Sequence, residues 1–597
     1  MKRFHAVQVA SVLRQTLGAA VLAALAGCGA ASSVEVAPGE PPTTDTRTGE
    51  APRIEESDLY RHEGSWLYVQ NPQTGLNVLD LSTPAAPRLV GRAAVVGAAG
   101  ELYVRKGHAI VLLKSPTAAC RLPARCNAGG WRAGAEVAMV DVADAARPRV
   151  VDRYCIPGQL VASRVVNDTL FLVTNQSTGG SRAYALDIAD PAQAAVRQQL
   201  DFPSASKEIL VTGEAIIVAG PAKVAAASCP SGLRCASATQ TEVQYVQIVA
   251  ETGEMIPRGR LAVPGEPQGR FHMDLYGHLF RVVTYDPLSR SSRLSVIDVS
   301  APDSLRLVGR LDRIGPGERL YATRFAGETA YVVTYRQTDP LWVISLREPA
   351  RPRLVGELHV PGWSDFIFPY GDRLLCVGRG DRGVGLQVSL FDVSDPTEPR
   401  TIDQVQLGGS GTTSEANLDH RAVSLLEREG ELPLIVVPYA TRATGSCGSQ
   451  SYVQVIDVLG SGLRLRGRAG QRGPVRRTFR VEESLLSVSD YEVLSLDLRD
   501  RDALPVQGAV VVGNQLSAGA TAAGCQGLSD DWNDVPPSDG TLPEWQARKG
   551  ASSRMRYGCE VAGSADELPR ELPFLPIALA LLIWRRGSRR TREGRAS

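Results

Sequence analysis

Apolar and polar residues alternate with a period of two in short runs along most of the chain, and Gly, Pro, Asp and Ser separate the runs. Alternation of this kind predicts strands, because successive side chains of a strand point to opposite faces. Residues 321–358, YATRFAGETAYVVTYRQTDPLWVISLREPARPRLVGEL, read as three strands joined by turns, then a Pro-x-x-Pro-Arg corner and a fourth strand. Between such runs no helix-period stretch intervenes.

The second half of that phrase recurs. Copies read LNVLDLSTPAAPRLVG (76–91), VAMVDVADAARPRVV (137–151), AYALDIADPAQAAV (183–196), LSVIDVSAPDSLRLVG (294–309), LWVISLREPARPRLVG (341–356) and LQVSLFDVSDPTEPRTI (386–402). Looser copies are VQVIDVLGSGLRLRG (453–467) and VLSLDLRDRDALPVQG (493–508), and VQYVQIVAETGEMIPRG (243–259) is degenerate. Two further strands separate neighbouring copies. Four antiparallel strands in each 40–50 residues or so mark a β-propeller blade. The fold class is therefore all-β, a propeller of four-stranded antiparallel blades. Nine units against the usual upper limit of about eight blades leave eight or nine blades, with units one and nine sharing a closing blade in the first case. Val343 and Ile344 belong on opposite faces of one blade, each buried against a neighbour. Asp80, Asp141, Asp187, Asp298, Asp392, Asp457 and Asp497 follow the apolar strand and cap its turn through local backbone N–H groups. A ring of carboxylates around a common axis is the alternative.

Composition narrows the function classes. The chain has 597 residues, 43% of them hydrophobic, which is ample for a large core. It carries 65 basic and 64 acidic residues. That balance argues against a nucleic-acid partner, whose domain is usually basic. Only six of the basic residues are Lys, a bias read as genomic base composition.

Both ends carry targeting features. Lys2 and Arg3 precede an apolar run that ends in Leu25-Ala26-Gly27-Cys28. This resembles a bacterial lipoprotein signal, in which Cys28 becomes the acylated first residue and the acyl chains hold the protein to a membrane. An ordinary secretory signal cut nearby is the alternative. The reading gives a signal peptide at 1–27, a flexible tether at 28–51, a propeller at 52–514, a low-complexity linker at 515–557 and a C-terminal segment at 558–597. In that last segment Cys559 precedes an apolar run (572–584) and an Arg cluster. The order resembles the tripartite sorting signals of myxobacterial surface proteins, with Cys559 as the processing site; a tail anchor or an amphipathic end is the alternative. The expected address is the outer membrane or cell surface, with a lipid-held membrane contact and a protein or glycan partner.

Cysteine use fits export. Cys120 with Cys126, and Cys229 with Cys235, each flank five residues in Gly/Ala-rich loops that a disulfide would close. Cys155 and Cys376 lie in strand-like runs and read as buried small hydrophobes. The partners of Cys447 and Cys525 stay open.

Residues 318–422 carry the phrases GERLYATRF, AYVVTYRQTDPLWVISL, PRLVGELHVPGWSDF, LQVSLFDVSDPTEPR and SEANLDHRA. They resemble the secreted bacterial and archaeal β-propeller family distantly related to WD-repeat proteins. The resemblance extends over roughly 52–514 and implies a propeller and export, with no settled activity. Relatives carry a His after the WSDF phrase; Phe368 stands there, so that role does not transfer.

Catalytic motifs are absent from the sequence. Gly378-Arg379-Gly380-Asp381-Arg382-Gly383 matches GxGxxG, but a strand follows it rather than a helix, so it lacks a phosphate cradle. The family-like phrases concentrate polar residues that a plain blade does not need: Asp365, Glu415, Asp419 and His420. Carboxylates and an imidazole suit a divalent ion or acid–base work; mutual satisfaction of Asp419 and His420 is the alternative. The cofactor stays unknown. The function read here is an envelope binding or scaffolding module, with a hydrolase or lyase using a channel site, or a structural envelope protein, as alternatives.

Overall fold

The alternating runs form strands, and the strands assemble in chain order. The computed structural model describes residues 54–116, 134–206, 208–222, 239–335, 339–442 and 449–514. They form nine antiparallel sheets, each built from four consecutive strands. The blades span residues 60–93, 97–157, 159–202, 208–264, 273–314, 319–360, 363–407, 424–471 and 475–511. One extra strand, Ile54–Glu55, joins the third blade as a fifth member. Helical structure among the described residues is confined to short 3-10 turns, none long and apolar enough to cross a membrane.

The core is divided among the seams between blades. Val343 packs with Ile367, Leu374 and Phe391 of blade 7, while Ile344 packs with Val283, Leu294 and Val296 of blade 5. The period of two thus supplies both faces of a blade from one strand. A corresponding apolar cluster fills every seam, including the one joining blade 9 to blade 1.

Nine complete blades answer the count, and no blade is shared between the chain ends. Closure uses face packing instead. Leu67, Val69 and Leu79 of blade 1 meet Phe479, Leu486 and Val488 of blade 9. Tyr60 stacks on Phe479 with ring centroids 4.6 Å apart. The Asn71 amide donates to the Asp490 carbonyl at 2.7 Å, and the Thr74 hydroxyl to the Val512 carbonyl at 2.6 Å.

The repeated Gly explains why the seams are alike. It lies on the outermost strand and meets the Pro turn of the next blade. A Cβ at Gly309 would stand 1.9 Å from the Pro349 carbonyl oxygen, and one at Gly356 2.1 Å from that of Pro396. Gly508 of the last blade approaches Ala85 of the first in the same way, at 2.5 Å. Ring closure therefore repeats the contact made at other seams.

Six of the seven repeat Asp residues cap their turns as expected. Asp80, Asp141, Asp187, Asp298, Asp392 and Asp497 accept the N–H two residues on at 2.8–3.1 Å. Asp457 does not. Its strand re-pairs at once through Leu459 and Gly462, so there is no Pro turn to cap. Instead Asp457 is buried between Arg466 and Arg501, each at 2.8 Å.

Cys376 is buried in the seam between blades 6 and 7, as expected. Cys155 differs: it is only half-buried, on the outermost strand of blade 2. Cys28, Cys120, Cys126, Cys229, Cys235, Cys447, Cys525 and Cys559 lie outside the described residues.

The strand order separates two faces. Short turns between first and second strands, and the repeat turns between third and fourth, lie on one, here the turn face. Connections between second and third strands and between blades lie on the other, the loop face. The longest connections, 117–133, 222–239 and 408–423, all join strand ends of the loop face.

Replacing Gly309 or Gly508 with Ala forces the blade turn to move, because the obstructing atom is backbone. Each variant should lose ~1–3 kcal/mol, read as a lower urea midpoint with an unchanged slope. Ala at Gly64, which has no neighbour within 4 Å, separates crowding from conformational strain. It should cost less than either.

Candidate functional site: the ion-paired axis

The residues just before blade 1 run along the axis of the ring. Ile54 and Glu55 pair antiparallel with Val166 and Val165, at the end of the innermost strand of blade 3. The chain therefore enters from the turn face and climbs. Asp58 bridges Leu102 on the innermost strand of blade 2, after which the chain reverses into Tyr60–Glu63 of blade 1.

Charged side chains meet this segment from four elements. Arg164, on the innermost strand of blade 3, donates to Glu56 at 3.0 Å. Arg270, in the connection before blade 5, donates to the same carboxylate oxygen. Arg421, in the 3-10 turn before blade 8, donates to the Ser57 carbonyl at 2.7 Å. Arg477, on the innermost strand of blade 9, holds Asp58 through Nε at 2.7 and 2.9 Å. Its Nη2 donates to Asp419 at 2.5 Å. Asp419 also accepts from Arg421 at 2.9–3.0 Å and caps the 3-10 turn through the Arg421 N–H.

Burial opposes ionisation of Glu56, but Arg164 and Arg270 outweigh it and hold the carboxyl down at about 2. Asp419 is likewise opposed by burial and held well below the carboxylate range by Arg421 and Arg477. Arg477 keeps only 1% of its side chain exposed. Removing one partner from such a network leaves a buried charge, at a cost of ~3–5 kcal/mol.

His420 sits at the upper edge of the network. Its Nε2 accepts from Arg270 at 2.8 Å, and Nδ1 faces Asp419 at 3.5 Å. Arg cannot accept, so this contact assigns the ring proton to Nδ1. Burial and the Arg270 charge lower its pKa to about 3. Phe271 meets the imidazole edge-on at 4.8 Å. His420 is thus a neutral linker within the network. His272 is separate: fully buried, it contacts the Thr323 hydroxyl at 2.7 Å.

The four residues singled out in the sequence divide. Asp419 and His420 lie together in the axial network. Glu415 is turned away and accepts from Arg476 at 2.7 Å. Asp365, on the innermost strand of blade 7, accepts from Asn417 at 2.8 Å and from the Trp363 indole at 3.1 Å. Burial raises its pKa to about 6, outweighing these bonds and the Arg379 charge. Asp365 is thus shifted toward neutral pH, whereas Asp419 and His420 are both shifted down. Among the described residues no group of three or more His, Cys, Asp or Glu side chains is placed to hold a metal ion. The Gly378–Gly383 stretch makes a 3-10 turn at Asp381–Gly383 and re-enters a strand, as expected of a hairpin.

Sequence reasoning missed Glu56, Asp58, Arg164, Arg270, Arg421 and Arg477. The acidic run Glu55-Glu56-Ser57-Asp58 beside the apolar Ile54 is the only local sign. Open depressions lie elsewhere. One of 50 Å³ is lined by Tyr276, Arg281 and Glu328, and one of 220 Å³ by Asp168, Asp187 and Arg197. Both fall short of the ~300 Å³ at which ligand clefts usually begin.

Two pH-dependent outcomes follow. The depressed pKa of Glu56 adds stability above its unfolded value of 4.5, and that stability fades as pH falls toward 2. Glu56→Gln should cost ~2–4 kcal/mol at pH 7, and the gap from wild type should narrow steadily below pH 4.5. Asp365 has the opposite sign: its raised pKa costs stability above the unfolded value of 3.8. Asp365→Asn should therefore gain on wild type as pH rises from 4 to 7. Urea unfolding at several pH values reads both.

The beta propeller domain model matches this chain over residues 50–218 and 182–500. An uncharacterized protein of Methanocaldococcus jannaschii is 40% identical over 148 residues, 24% of this chain and 24% of that protein. One of Archaeoglobus fulgidus is 37% identical over 190 residues, 32% of this chain and 29% of that protein. The chain thus spans under a third of the length of either relative. Similar solved structures include Sqt1 of Chaetomium thermophilum (14% identity, TM-score 0.35, 57% of this chain and 80% of that one). Another is the periplasmic gluconolactonase PpgL of Pseudomonas aeruginosa (12%, TM-score 0.32, 58% and 96%). The family match takes in the axial segment, blades 1 to 8 and the first three strands of blade 9, and the chain belongs to the beta propeller domain family.

Proposed function

We propose that this protein is an exported, lipid-anchored propeller of the cell envelope that acts as a binding or scaffolding module. The observation that carries the reading is the separation of the two faces. The segment following the tether enters at the turn face, whereas the longest connections join strand ends on the loop face. With Cys28 acylated, this topology turns the short repeat turns toward the membrane and presents the variable connections to a protein or glycan partner. Loops on a rigid scaffold are where binding function usually resides. The ion-paired axis supports binding over catalysis, since Glu56, Asp58, Asp419 and Glu415 are all held by Arg. Cys559 and the basic tail fit processing at the cell surface.

A second reading has one observation in its favour. Asp365, with its carboxyl at about 6, could exchange a proton near neutral pH, as a hydrolase or lyase requires. Asp365, Glu415, Asp419 and His420 then form the candidate set for a ligand at the loop face.

Fractionation tests the anchor. Cys28→Ala should move the protein out of the membrane fraction or leave its signal uncleaved; unchanged partition together with unchanged processing would refute lipidation at Cys28. A hydrolase and lyase panel on wild type and Asp365→Asn tests the second reading. Turnover lost with Asp365→Asn would favour the enzyme, and no turnover in either protein would favour the binding module.

A further inference from the structure

The axial segment is bound as a ligand would be. Ile54 and Glu55 add to a strand of blade 3, as an extended peptide adds to a sheet edge. Glu56 and Asp58 then enter the cation set of Arg164, Arg270 and Arg477, with Arg421 on the intervening carbonyl. The backbone hold is slight: two paired residues, one bridge and the Gln70 N–H donated to the Leu59 carbonyl. The charge hold is extensive, and it comes from blades 3 and 9 and from the connections before blades 5 and 8. Each Arg-bearing blade strand has its own sheet partner without the axial peptide. Without Glu56 and Asp58, Arg421 and the almost wholly buried Arg477 would share Asp419, while Arg164 and Arg270 would lose the carboxylate they hold in common. A buried, uncompensated cation is costly, so an emptied axis would draw in another anion. Ile54 lies opposite Val166, at the turn-face end of that strand.

We propose that the axis of the disc is a binding site for an extended acidic peptide with two carboxylates two residues apart, and that residues 54–59 are its displaceable internal occupant. The site selects a peptide over a free anion because it joins a strand edge at Val165 and Val166 to the cation set. A phosphate would satisfy the Arg groups and leave that edge unpaired. The inference is independent of the loop-face reading, since neither site needs the other.

The probe is the segment's own sequence, IEESDL, compared with IEQSNL, which lacks the carboxylates equivalent to Glu56 and Asp58. In the full-length double variant Glu56→Gln/Asp58→Asn, IEESDL should bind at least tenfold more tightly than IEQSNL, and at least tenfold more tightly than it binds wild type. The affinity should fall as salt rises. Equal affinities of the two peptides, or no binding to a variant that retains its cooperative melt, would overturn the proposal. So would tight binding of pyrophosphate with none of IEESDL. Should the variant not fold, amide exchange on wild type decides. Excess IEESDL should speed exchange within residues 54–59 and leave the blades unchanged; exchange of that segment only with global unfolding would overturn the proposal.

Discussion

A ring of nine sheets leaves an axial space, and what fills that space constrains the rest of the molecule. Side chains of the innermost strands do not fill it alone here. A peptide rises from the turn face, while the connections before blades 5 and 8 supply 3-10 turns from the loop face. All three carry charge, so the fill is polar and must be paired. Asp58, Asp419 and Arg477 perform that pairing at the centre, joining the start of the domain to its last blade across more than four hundred residues. The apolar seams hold each blade to its neighbours; the axial network relates blades that are not neighbours.

Arginine suits this role. Its planar fork bonds several acceptors at fixed angles, and Arg477 serves Asp58, Asp419 and a backbone carbonyl at once. Buried ion pairs of this kind add little net stability compared with apolar packing, yet breaking one is costly. Their effect is therefore on specificity: only one path of the N-terminal segment brings Glu56 and Asp58 to their partners. The same reasoning keeps His420 neutral, since an added proton would place a third cation beside Arg270 and Arg421.

Asp365 stands apart from that logic. Its partners are an amide and an indole rather than a guanidinium, and burial dominates its titration. A carboxyl kept poised in this way costs stability above its unfolded pKa. Trp363 beside it packs with Tyr321 and Tyr335 at centroid distances of 5.7 and 5.0 Å, so the loop-face end of the seam between blades 6 and 7 is an aromatic rim around a titratable group.

The strand pattern was legible in the sequence because both periods involved are local. Alternation assigns Val343 and Ile344 to opposite faces, and the Asp-Pro turn with its Gly repeats wherever a blade must meet the next at close range. Asp365, Asp419 and His420 were legible as polar residues out of keeping with a plain blade. Their roles were not, because a role depends on what stands opposite. Asp457 carries the same local signal as Asp298 and still bonds differently, since Arg466 and Arg501 reach it and its turn has no Pro loop. The blade count also required the tertiary structure: closing with nine blades or eight depends on whether Gly508 can meet Ala85, a contact between chain ends. Most of all, the axial segment reads locally as the end of a tether. Coulomb attraction acts through space rather than along the chain, so only the folded ring, by bringing Arg164, Arg270, Arg421 and Arg477 to one axis, turned Glu56 and Asp58 from linker residues into its centre.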